Sequence, residues 1–251
     1  MNNIQKEKNE ILSEFCSICE TNKIWYSLDE ISLLSCYSNE NWAENIDFHT
    51  VMMTFDSYEK LKELLPNRIL DNTNHSDYFS LQNKFVLDNK NIYAKQAFIN
   101  INLIIPTKAK NIKKYLKFRN KRKISINHYA TMSSSNIPKI NNKIWLSKFA
   151  KKFTRLLTYK DVVNSLYSDE YEGFLVTNSI INHFSSKKWI SNLSLKLNNE
   201  ICAESPCKVI AESEIYLKNL YGSNFKNKEP EQLLYIHRNC IDIDLFNEEK
   251  K

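Results

Sequence analysis

The stretch W42-A-E-N-I-D-F-H-T-V-M-M53 decides how the chain is read. Ile46-Asp47-Phe48 has the apolar/acid/apolar form of a short strand that holds a carboxylate at a metal, and the apolar residues through Met53 continue it as a β-strand. Two residues before Asp47, where such a strand would carry a second acid, stands Asn45. His49 follows Asp47 by two, so the period of a strand puts it on the same face, as an added metal ligand or a packed histidine. The question is whether this strand still holds a metal site or only the relic of one.

Elements of both kinds surround the stretch. Residues 5 to 24 read as an amphipathic helix, with Ile11, Leu12, Phe15, Ile18 and Cys19 at helical spacing. "KIWYSL" reads as a short strand, "DEISLLSCY" as a short helix or turn, and "FDSYEKLKELL" as a helix with Asp56 as N-cap and Glu59 in capping-box spacing. Two more strands are expected at "YFSLQNKFVLD" and at "IYAKQAFININLII", the latter ended by Pro106. A basic helix follows, then the polar loop "TMSSSNIPKINN" and a mostly helical stretch from Trp145 to about Leu166. "ESEIYLKNLYGS" reads as a helix with Ile215, Leu217 and Leu220 inward and Gly222 as its stop. The expected fold is α+β, a small mixed sheet enclosed by helices in one domain over 1–251. It has a sheet-containing core at about 1–106, a basic helical insertion at about 107–165 and a helical part at about 166–251.

Composition excludes several classes. The chain has 251 residues, 42% hydrophobic and 12% aromatic, enough for a sizeable core. Gly173 and Gly222 are its two glycines, against about 7% in an average protein, so a Gly-rich phosphate cradle of the Walker or dinucleotide type is excluded. The N-terminus is polar and charged, unlike a signal peptide. The apolar run near Ala97 to Pro106 falls far short of the roughly 20 residues of a membrane span. A cytoplasmic location is expected, peripheral at the inner face of the membrane if the basic segment from Lys108 to Lys123 meets lipid. Six cysteines read as reduced thiols. Cys16 and Cys19 sit on or beside the apolar face of the first helix, which favours core packing; a zinc site shared with Cys202 and Cys207 is the sharper alternative.

The net charge of +6 is concentrated between Lys108 and Lys123, where nine Lys or Arg occur with no acid. This segment is either a solvated helix face or a landing site for an anionic membrane surface or another phosphate-rich polymer. Nucleic acid ranks below these, since Tyr115 and Phe118 are the aromatics within the run.

In order along the chain, Cys19-Glu20 near a helix end, "KIWYSL", "SLLS", the Trp-led acidic strand and "DSYEKL" resemble the LicD/fukutin-type phosphotransferase family. Near the other end, Tyr221, Gly222, Pro230 and His237 in "ESEIYLKNLYGSNFKNKEPEQLLYIH" fall at matching places. The resemblance implies a nucleotidyltransferase-like fold. It also implies transfer of phosphocholine, or a related phosphodiester head group, from CDP-choline or another CDP-linked donor to a sugar of a surface glycan such as lipopolysaccharide, teichoic acid or capsule.

The same resemblance exposes departures. The family's Gly-Gly-Thr-Leu-Leu-Gly loop is Glu30-Ile31-Ser32-Leu33-Leu34-Ser35 here, and its Arg-His pair is Ser38-Asn39. Its Trp-Asp-Asp-Asp-Ile-Asp is Trp42-Ala43-Glu44-Asn45-Ile46-Asp47, and a third acidic position falls near Asn102. By the resemblance Asp47, Glu44 and Asn102 are the catalytic candidates, and Asp47, Asn45, Asn102 and Glu44 would hold Mg²⁺ or Mn²⁺. Ser32, Lys84, Tyr26, Trp42 and His237 would contact the donor, the aromatics by stacking a base or caging a choline. Asparagine ligates Mg²⁺ through oxygen but brings no negative charge and cannot act as a base, so the metal would be held weakly. The alternative is a catalytically degenerate relative that binds a nucleotide, a glycan or a partner. Ile241-Asp242-Ile243-Asp244-Leu245 also has acid-x-acid form and reads as a peripheral strand or tail.

Overall fold

The computed structural model describes residues 3–37, 46, 48–92, 96–133 and 138–227. Asp47, Glu44, Asn45, Trp42, Pro230, His237, Asp242 and Asp244 lie outside them. Among the described residues the fold is α+β, as expected, with a curled mixed sheet of seven strands, a separate two-stranded hairpin and eight α-helices.

Helix α1 (Asn3–Thr21) buries Ile11, Leu12, Phe15, Cys16 and Cys19, the stripe visible in its sequence. It stops where Lys23 turns left-handed at φ 52°, which lets Ile24 N–H reach back to the Cys19 carbonyl at 2.9 Å. Strand β1 (Tyr26–Leu28) runs antiparallel to β2 (His49–Thr54), and α2 (Glu30–Leu34) lies between them in sequence. Helix α3 (Phe55–Leu64) is capped by Thr54, whose hydroxyl accepts from Ser57 N–H at 3.3 Å. Asp56, expected as the cap, lies inside the first turn because β2 runs directly into the helix.

Strand β3 (Ile69–Leu70) and β4 (Asn83–Val86) precede the central strand β5 (Phe98–Thr107). The order β1-β2-β5-β4-β3 places β5 between parallel β2 and antiparallel β4. β5 passes Pro106 by one residue, and its last part pairs with β6 (Gly173–Val176), which pairs with β7 (Trp189–Ile190). A Cβ on Gly173 would meet Ile190 O and the Trp189 ring at 2.6 Å, so the β6–β7 approach requires glycine there.

The basic run forms two helices, α4 (Ala109–Tyr115) and α5 (Phe118–Thr131), broken at Leu116-Lys117. α6 (Pro138–Ala150) begins at the proline, before the expected Trp145. A separate α7 (Tyr159–Leu166) starts at a capping box between Thr158 and Asp161. The hairpin β8 (Leu197–Cys202) and β9 (Ser205–Ile210) turns at Ala203 and Glu204, both at positive φ, the two-residue turn that matches strand twist. It docks on β1: Ile210 N–H donates to Ser27 Oγ at 2.9 Å and Lys208 N–H to Tyr26 Oη at 3.2 Å. α8 (Ser213–Tyr221) ends at Gly222, φ 89°, and buries Tyr216, Leu217 and Leu220. Ile215, expected inward, is exposed, because Tyr216 takes the inward place.

The strand period divides the sheet. Tyr26, Val51, Met53, Ile99, Ile101, Leu103 and Phe85 share one face, and Phe15 of α1 packs edge-on against Tyr26 at 5.3 Å and Phe85 at 5.4 Å. The opposite face carries polar residues.

Candidate functional site: a polar sheet face closed by an ion cluster

On that second face, register aligns Thr50 of β2, Asn100 of β5 and Lys84 of β4 in one lateral row. Asp29, one residue past β1, joins the row by donating its backbone N–H to Thr50 O at 2.9 Å. Asn102 stands one pleat along from Asn100. All five side chains are buried. Burying polar groups costs free energy unless each finds a partner; Asn100, Asn102 and Asp29 find theirs in one another, whereas the Thr50 hydroxyl has none among the described residues. The row is bounded by a small apolar cluster that includes Phe48, Val86, Phe98 and Phe184, and the Lys84 ammonium sits 4.6 Å from the Phe98 ring centre.

Asp29 is the hub. Its Oδ2 accepts from Asn102 Nδ2 at 2.7 Å and from Lys188 Nζ at 3.1 Å; its Oδ1 accepts from Tyr216 Oη at 2.7 Å and from Glu30 N–H at 2.7 Å. Lys188, at the end of the 3₁₀ turn Ser185–Lys188, also pairs with Glu30 Oε1 at 2.6 Å. Burial first, and then the Asp29 carboxylate, push the Tyr216 phenol well above its ordinary pKa, so it stays a protonated donor.

Asn102 is occupied at both ends. Its Nδ2 donates to Asp29, and its Oδ1 accepts from Asn100 Nδ2 at 3.2 Å. The reverse amide orientation would set a carbonyl oxygen against a carboxylate, so the chemistry fixes this one. At this position the Asn102 oxygen already accepts from Asn100 and its amide nitrogen is spent on Asp29, while the other expected metal ligands, Asp47, Asn45 and Glu44, lie outside the described residues.

The loop expected to meet phosphates is also filled. Glu30 and Ile31 are buried, and Glu30 holds φ 50°, a conformation that suits glycine. The first N–H of α2 turns to Asp29 rather than outward. Ser32 is buried too; its hydroxyl accepts from Thr50 N–H at 2.9 Å and so pins α2 to β2.

The other expected contacts separate. Lys84 shares the row with Asn100, close to Asn102. Tyr26 is 2% exposed on the opposite face, under α1, where no base can stack on it. His49 pairs in register with Ile99, so it also faces away from Asn102, and its ring nitrogens lie 3.5 Å from Ser32 Oγ and from Asn9 Oδ1. It therefore stands apart from Asn102, and Asp47, with which it was expected to share a face, lies outside the described residues. Cys16 and Cys207 meet at 3.4 Å between α1 and the hairpin. Among the described residues no group of three or more His, Cys, Asp or Glu is arranged to hold a metal ion, and no helix is long and apolar enough to cross a membrane.

Asp29, Lys188 and Tyr216 went unremarked in the sequence because they meet across 159 and 187 residues. The signal that was present is the alternation in Phe98-Ile-Asn-Ile-Asn-Leu103, which puts two amides on one face of an otherwise apolar strand. No family model, curated protein or solved structure matches this chain.

Proposed function

We propose that this chain is a LicD-like protein with a nucleotidyltransferase-like fold that binds a CDP-linked ligand without transferring its head group. The observation that carries this reading is the Asn102 amide, engaged by Asp29 on one side and Asn100 on the other. Phosphotransfer by this chemistry relies on paired carboxylates holding divalent ions that neutralise developing charge. Here the neighbouring carboxylates, Asp29 and Glu30, already share the single Lys188 ammonium. The filled loop at Glu30-Ile31 supports the same reading.

One observation favours the transferase reading. Lys84 and Asn100 stand side by side on the polar face, a cation and an amide suited to a phosphate. Calorimetry of the chain with CDP-choline, with and without Mg²⁺, separates the two, together with phosphorus NMR for release of CMP in the presence of a glycan acceptor. Binding that ignores Mg²⁺, with no CMP formed, is the expected result. Mg²⁺-dependent binding with CMP release would restore the transferase.

A further inference from the structure

Helix α6 is apolar on both sides. Ile144 faces inward and is buried, yet Trp145, Leu146 and Phe149 on its outer surface, and Phe153 in the following turn, are 67%, 55%, 53% and 76% exposed. Positions 145, 149 and 153 are four apart and form one row. The Trp145 and Phe149 rings lie 6.1 Å apart and nearly parallel, and Phe149 meets Phe153 at 5.1 Å. An apolar ridge of this kind left in water marks an interaction surface.

Charge identifies the occupant. From Lys108 to Lys160 the chain has sixteen Lys or Arg and no Asp or Glu. Lys148 and Lys152 stand three residues after Trp145 and Phe149 and so flank the row. Beside Lys148 an open cleft of about 270 Å³ is lined by His75, Asp77, Lys90, Lys148 and Lys151, with Phe79 under the Lys151 ammonium at 4.3 Å. The partner is therefore anionic on its surface and apolar just beneath.

Protein interfaces are depleted of lysine, and this ridge is surrounded by it. Single-stranded nucleic acid tracks along a groove lined by aromatics, whereas these rings stand on an exposed row. Trp, Phe and Leu with flanking lysines is the pattern of a helix lying in a membrane interface, its lysine stems along the acyl boundary and its ammonium groups at the phosphates.

We infer that the outer face of α6 docks on an anionic phospholipid bilayer. Trp145, Phe149 and Phe153 enter the boundary between head groups and acyl chains, while Lys152 beside the row and Lys148 at its edge meet lipid phosphates. This inference does not rest on the proposed ligand of the polar face.

The test sediments the whole chain with vesicles of phosphatidylcholine alone or mixed with phosphatidylglycerol, at low and physiological salt. Only the mixed vesicles carry the protein down, and salt weakens the binding. Brominated acyl chains quench tryptophan emission, an effect lost in Trp145→Phe. The triple variant Trp145→Ser, Phe149→Ser, Phe153→Ser changes exposed positions, keeps its far-UV spectrum and loses about tenfold or more in vesicle affinity. Absence of binding, binding undiminished in the triple variant, or preference for an oligonucleotide over mixed vesicles would each overturn the inference.

Discussion

Lys188 Nζ stands 2.6 Å from Glu30 Oε1, and Glu30 holds a left-handed backbone at φ 50°. The ion pair ties the turn ahead of β7 to the start of α2, so a conformation that glycine would adopt freely is kept by a side chain 158 positions away in sequence. Truncating the cation leaves Asp29 and Glu30 as buried carboxylates without their counter-ion. Lys188→Met should cost about 3–5 kcal/mol, read as a lower urea midpoint.

Glu30 separates backbone from charge. Glu30→Gly relieves the left-handed strain and Glu30→Ala does not, while both remove the carboxylate. The glycine variant should be the more stable by about 1 kcal/mol, measured by thermal unfolding of the two side by side.

Restoring the acid at position 102 should harm the protein. Asn102→Asp sets a carboxylate where the amide donates to Asp29 at 2.7 Å, trading a hydrogen bond for repulsion between buried like charges. A loss of about 2 kcal/mol or more is expected. A melting temperature that millimolar Mg²⁺ restores would instead show that a metal can enter there.

The core thiols should be inert. Cys16, Cys19, Cys202 and Cys207 are buried, and burial holds the Cys19 thiol above its ordinary pKa. Since burial denies the reagent access to all four sulfurs, maleimide should label them only after denaturation, as read by mass spectrometry. Dialysis against a chelator should leave the melting temperature unchanged.

Acid should weaken the tie between α1 and the sheet edge. Arg68 grips Glu14 with two bonds of 2.7 Å and donates to Val86 O. The Arg68 hydrogen bond holds the Glu14 carboxyl below its ordinary value of 4.5. A depressed folded pKa means the contribution is complete above the unfolded value and is lost as pH falls through the folded one. The stability gap between wild type and Glu14→Gln should therefore be present near neutrality and close in acid, as urea titrations at the two pH values would report.

What the sequence reveals and what it hides follow from the range of the interactions. The α1 stripe and the alternation along β5 are local, and the structure keeps both. The break between α4 and α5 was hidden, because a uniformly basic run gives no periodic mark at Leu116-Lys117. The hairpin was hidden as well: its turn uses Ala203 and Glu204 at positive φ, without the glycine that usually announces such a turn. The candidate site was half legible. The resemblance singles out Asn102 and Lys84, but what Asn102 does depends on Asp29, and no pattern in either segment points to the other.

The bonds from the 205–210 strand to Tyr26 and Ser27 span 182 and 183 positions. A chain emerging from the ribosome therefore displays the flank of its first strand until the hairpin through Ile210 has been made, and only then acquires its cover. Such late closure slows folding and exposes an unpaired edge to other chains. Shortened chains that stop before the hairpin should accordingly accumulate as aggregates, however well their own helices form.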